Sequence, residues 1–178
     1  MSMTLRNLFL VPALALVTLS QAQTPFPALS GETAEGTSVE LPNTNANGWT
    51  VVGIAYGKQA SPVLEEWYEP VYLRFVAKHG LMAGAYDAEV YFVPLFVGLN
   101  KSAYEPSMKK FRKSADPEIV DHVVFSKDEA ETLIDRLDMN DKSIPYIFVV
   151  DNDGRIVHRT QGAYSEEKLE AIEEVMLR

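Results

Sequence analysis

The sequence predicts one α/β domain, a central mixed β-sheet flanked by helices, with an extra N-terminal β-hairpin. Three observations predict it. Thr50–Tyr56 and Glu89–Val97 are nearly continuous apolar runs, the pattern of strands buried on both faces. Between and after them lie stretches whose apolar residues recur at helical spacing. Near the end, Tyr146–Val150 and Arg155–Arg159 flank Asp151-Asn152-Asp153-Gly154, a strand, tight turn and strand that a last helix follows.

The first residues read as targeting sequence. Met1–Asn7 carries Arg6, Leu8–Leu19 is an apolar stretch of twelve residues, and Ser20-Gln21-Ala22 offers small residues for a signal peptidase. The apolar stretch falls short of the roughly 20 residues of a membrane span. Residues 1–22 are therefore expected to be a signal peptide and 23–178 a single domain of 156 residues, exported to the periplasm or secreted. The alternative is an uncleaved membrane anchor. No cysteine follows, so a lipid-modified N-terminus of the bacterial lipoprotein kind is excluded.

Downstream, Phe26-Pro27-Ala28-Leu29 and Gly31 open the domain, and Gly36–Pro42 alternates as a short strand does. Asn43–Asn47 is a solvated turn, and the Thr50–Tyr56 strand ends at Gly57. A helix follows in which Ser61 suits the N-cap, Pro62 the first position, and Glu65 and Glu66 the first turn. Leu64, Trp67, Val71 and Phe75 form its apolar stripe, Pro70 kinks it, and His79-Gly80 closes it. Pro94 shortens the ladder of the second strand or places it near an edge. Ser102–Ser114 is a basic amphipathic helix with Lys109, Lys110, Arg112 and Lys113, and Ile119–Phe125 a short strand. Asp128–Met139 is a helix with Leu133, Ile134 and Leu137 inward, and Ser165 caps a final helix with Leu169, Ile172 and Val175-Met176 inward.

Composition excludes several functions. With no cysteine, the chain cannot act as a thiol oxidoreductase or thiol peroxidase through its own thiol. Its net charge is −9, and loss of Arg6 with the leader takes it to −10, a surface that repels nucleic acid and anionic membranes. His79, His122 and His158 lie on separate elements without metal-ligand spacing, so no metal and no cofactor are expected. Asp151-Asn152-Asp153-Gly154 opens like a calcium loop, but position six is Ile156 and position twelve is Gly162, so it reads as a hairpin turn. Ser61 has no Gly-x-Ser-x-Gly elbow and no histidine near it in sequence, which favours a helix cap over a nucleophile. Asn100-Lys101-Ser102 fits a glycosylation sequon, relevant only in a host that glycosylates exported proteins.

The order of strand, kinked helix, strand, insert, Ile144-Pro145 strand, Asp-x-Asp-Gly turn, strand and helix resembles the thioredoxin-like superfamily, nearest its thiol-peroxidase-like and membrane-anchored branches. The resemblance covers Phe26 to the C-terminus. It implies a thioredoxin-like sandwich in which the X-Pro peptide, here Ile144-Pro145, is held cis and faces a cysteine pair at the start of a helix. Here that pair is absent: one register puts Ser61 and Leu64 at its positions, the other Pro62 and Glu65. A narrower likeness joins Ile54-Ala55-Tyr56, Ser61, Trp67-Tyr68-Glu69-Pro70, Tyr146–Asp151 and Gly162 to the mitochondrial ATP-synthase assembly factors, and implies binding and assembly rather than redox turnover.

The expected function is a redox-inactive binding or assembly module. Its groove would involve Tyr56, Ser61, Pro62, Leu64, Glu65, Trp67, Ile144 and Pro145, with a protein segment or small ligand of the envelope as partner. Trp67, Tyr68 and Tyr72, with Tyr56 just before them, are either core or the wall of that groove. Ile144-Pro145 either docks an extended peptide by β-augmentation or simply shapes the strand start. The alternative function is an enzyme using non-thiol chemistry there, its acid-base pair drawn from Lys58, Glu65, Glu66 or a histidine.

Overall fold

The computed structural model describes residues 24–43, 48–77, 86–127 and 130–177. The expected leader, most of the expected Asn43–Asn47 turn and the expected helix end at His79-Gly80 fall outside them. The central sheet has the order β4-β3-β6-β7, built from β3 (Trp49–Ala55), β4 (Ala88–Pro94), β6 (Tyr146–Val150) and β7 (Ile156–Gln161). β3 and β4 run parallel, and β6 and β7 are antiparallel additions, Thr50 facing Val150 and Ile54 facing Tyr146. This is the mixed sheet the sequence predicts.

β1 (Leu29–Thr33) and β2 (Ser38–Leu41) form the predicted hairpin, whose β1 also pairs with the two-residue β5 (Val124–Phe125). Single parallel bridges, Phe92 to Val123 and Leu95 to Ser126, join this small sheet to the edge of β4. Of the predicted Ile119–Phe125 strand only those two residues are ladder, because Val120–His122 coils into a 3-10 turn.

β3 buries both faces. Val51 and Ala55 pack with α1 (Ala60–Glu65), α2 (Tyr68–Phe75), α3 (Tyr104–Ser114) and α5 (Glu166–Met176). Val52 and Ile54 pack on the other side with Phe26, Leu29, Leu41 and α4 (Ala130–Arg136). Gly53 lets Leu64 of α1 close on the sheet: a Cβ there would lie 2.9 Å from Leu64 Cδ1. Arg74 bridges Glu166 and Glu173, and Tyr86 also donates to Glu173, which pins α2 against α5. As predicted, Ser165 caps α5, accepting from the Lys168 N–H at 3.4 Å.

Three expectations need correction. Ser61 is not an N-cap: α1 begins at Ala60, and Gly57 O receives the Ala60 and Ser61 amides at 3.0 and 3.3 Å. The helix is thus capped two residues earlier, at Gln59 and by the backbone turn, and the Ser61 hydroxyl donates back to Gly57 O at 3.4 Å. The kinked helix is two helices, broken at Glu66–Trp67. Pro70 has no N–H for the Glu66 carbonyl four residues back, so the chain tightens there, with the Trp67 amide on Leu64 O at 3.0 Å. Finally, the cis peptide bond among the described residues is Leu41–Pro42, and Ile144–Pro145 is not cis. Trans is the default for an X-Pro bond, and the Asx turn before it, with Asp141 Oδ1 accepting from Ser143 N at 2.8 Å, delivers the chain to β6 in that form.

Candidate functional site

An open cavity of about 800 Å³ lies where β3 and β4 end. The carboxyl ends of parallel strands are the usual place for a site in an α/β sheet, because the chain leaves the sheet there in loops. Ala55-Tyr56-Gly57-Lys58 forms one side and Pro94-Leu95-Phe96 the next. α1 contributes Ser61, Pro62, Leu64 and Glu65, and the opposite wall comes from α3 and the 3-10 turn Gly98–Ala103 before it. That wall is anchored from behind: Tyr104 donates to Glu32 at 2.8 Å and to Phe125 O at 3.3 Å, and Arg112 donates to Ala34 O.

Five of the expected site residues, Tyr56, Ser61, Pro62, Leu64 and Glu65, line this cavity, and three do not. Trp67 is fully buried, its indole N–H given to Gly162 O at 3.0 Å and its ring edge-on to Tyr164. It belongs to the core. Pro145 is buried, with its carbonyl taken by the Gly162 amide, and Ile144 packs with the core on the other side of the sheet.

The β3–α1 turn and the loop before β6 touch directly. A Cβ on Gly57 would fall 1.8 Å from Lys142 O, and Tyr56 spans the same junction, donating to Met139 O at 2.6 Å. Burial first, then the neighbouring Tyr146 and Asp141, raise the Tyr56 phenol pKa, so it remains a neutral donor. The open space therefore lies on the α3 side of α1. The main chain of Ile144 makes no hydrogen bond to another described residue.

Tyr68 lines the cavity with its ring tilted against Phe92 at 4.4 Å, and no hydrogen bond engages its hydroxyl among the described residues. Burial, then the Glu65 carboxylate, push its pKa well up, which leaves a neutral phenol as a donor. Tyr72 lies outside the cavity, edge-on to His122. Neither His122 nor His158 lines it, and Glu66 is also outside; of the acid-base candidates among the described residues, Lys58 and Glu65 remain. Among the described residues no cluster of three or more His, Asp or Glu is arranged for a metal.

Sequence reasoning missed the far wall: Phe96, Asn100, Ser107, Lys110 and Phe111. Their one signal is the basic amphipathic pattern of the Ser102–Ser114 segment. It marks a helix but not the helix opposite it.

No protein-family model matches the chain, and no curated protein matches it in sequence. Solved structures do. An uncharacterized conserved protein from Geobacillus kaustophilus superposes with a TM-score of 0.57 at 16% identity, over 87% of this chain and 81% of that one. A putative thiol-disulfide oxidoreductase from Bacteroides vulgatus gives 0.55 at 17%, over 89% and 93%. BsSco, a member of the Sco family of cytochrome c oxidase assembly proteins, gives 0.55 at 13%, over 86% and 92%. The protein is thus a thioredoxin-like fold that carries no cysteine. The likeness to ATP-synthase assembly factors finds no support among these structures.

Proposed function

We propose that this chain is an exported, redox-inactive thioredoxin-like binding module, and that the cavity beside α1 is where it binds. One observation carries the reading. In a fold whose oxidoreductases use thiols at a helix start, this chain keeps an open cavity there and lines it with Ser61, Pro62, Leu64 and Glu65. The N-terminal pattern of residues 1–22 supports export. No helix among the described residues is long and apolar enough to cross a membrane.

The test uses residues 23–178 to capture partners from an envelope extract of the host, beside a Pro62→Trp variant. Pro62 is exposed on the cavity rim, so the larger ring obstructs the mouth with little cost to the core. A species recovered with the native protein and lost with Pro62→Trp supports the assignment. Equal recovery by both moves the site elsewhere.

A further inference from the structure

The cavity is two-sided in its chemistry. Its inner surface is apolar, with Leu64, Phe96, Phe111 and Phe125 among its lining residues. Lys58 in the turn between β3 and α1 and Lys110 on α3 also line it, and neither ammonium takes part in an ion pair or hydrogen bond among the described residues. Glu65 and Asp116 share the lining, but Asp116 already accepts the Glu118 amide at 2.9 Å. Beyond Lys110, α3 carries Lys109, Arg112 and Lys113 against one acid, Glu105, with Lys101 in the turn before it. In a chain of net charge −9 this helix is a local excess of positive charge, which Lys110 brings to the apolar cavity while Arg112 is turned to Ala34 behind the wall. Such a local excess draws anions to the opening, and the apolar lining retains whatever hydrocarbon they carry.

We infer that the cavity takes a small amphipathic organic anion, its acidic head held by Lys58 and Lys110 and its apolar body against Leu64, Phe96, Phe111 and Phe125. The Tyr68 hydroxyl, unpartnered among the described residues, adds a neutral donor. This inference rests on the reading of the domain as a binding module and names the class of its ligand. A volume of about 800 Å³ is ample for a single acyl chain or a fused aromatic acid.

Two probes with the same tail and opposite heads test it: decanoate and decyltrimethylammonium, titrated calorimetrically into residues 23–178. Saturable decanoate binding is expected, weakened about tenfold by Lys58→Glu and by Lys110→Glu, with melting temperatures unchanged, while the ammonium probe binds far more weakly. Ala103→Trp, at an exposed lining position, should abolish decanoate binding; Ser107→Trp repeats the block from a second position. Absence of saturable decanoate binding, binding indifferent to both lysines, or equal affinity for the ammonium probe overturns the inference. If decanoate fails while partner capture still depends on Pro62, only the ligand class falls. If both fail, the binding reading falls with it.

Discussion

Asp138 ends α4 in the left-handed region, at a φ of 50°. The bonds around it close a Schellman motif: the Met139 amide reaches Ile134 O at 3.0 Å and the Asp138 amide reaches Asp135 O at 3.2 Å. A side chain costs energy there, and the Asp138 carboxylate returns little, because its two contacts, with Arg159 at 3.9 Å and with the Asn140 side-chain amide at 2.5 Å, lie at the surface. Asp138→Gly should therefore stabilise the protein by about 1 kcal/mol, read from a denaturant midpoint; a lower midpoint would contradict this. His158 is a second such residue. Its Nε2 is buried without a partner among the described residues, and burial lowers its pKa below the usual 6.5. Above pH 6.5 the ring is neutral in both states and costs nothing. As pH falls below 6.5, the unfolded chain takes up a proton that the folded one resists, so stability declines toward the folded pKa. Denaturation at pH 7 and pH 5.5 should show that decline, and His158→Leu should flatten it. An undiminished slope in the variant would assign the effect to other groups.

At the scale of elements, the joint between β3 and α1 sets the site. Because Gly57 presses on Lys142 O, Gly57→Ala must push the two loops apart, at a cost of about 2–3 kcal/mol. A melting temperature within error of the native protein would show that the loops yield freely. The same joint explains what the sequence could and could not disclose. Pro70 announced a distortion of the helix, since a missing N–H acts on its own chain, but it was read as a kink where the structure has a break. The start of α1 stayed hidden, because Ser61-Pro62 is good capping chemistry and the competing cap is the main-chain carbonyl of Gly57, which no side chain signals. Buried strands were legible for the opposite reason: β3 and β6 write their environment into every residue. The α3 wall was not, since Lys110 and Phe111 come to face Ser61 and Leu64 by tertiary packing, with the Phe111 ring edge-on to Tyr68 and Phe125. Ile144-Pro145 shows the limit of motif order, for its place in the chain is as expected while its face of the sheet is not.

Across the whole molecule, one short segment stitches the domain shut. The Phe26 amide donates to Gly154 O at 2.8 Å, the Ile156 amide to Thr24 O at 2.9 Å, and the Phe26 ring meets Phe148 edge-on at 5.9 Å. Phe26 is buried, so Phe26→Ala should cost about 3–4 kcal/mol, a loss visible in chemical denaturation; a loss below 1 kcal/mol would make the segment an ornament. This stitch also orients the molecule. Thr24 lies at the β6–β7 turn, and because Val150 pairs with Thr50 that turn sits at the beginning of β3. The cavity opens past Ala55, at the other end of the same strand, roughly 20 Å away. Held by its N-terminal side, on a bead, a fusion partner or a bilayer, the domain would point its open mouth outward, like a cup set on its base.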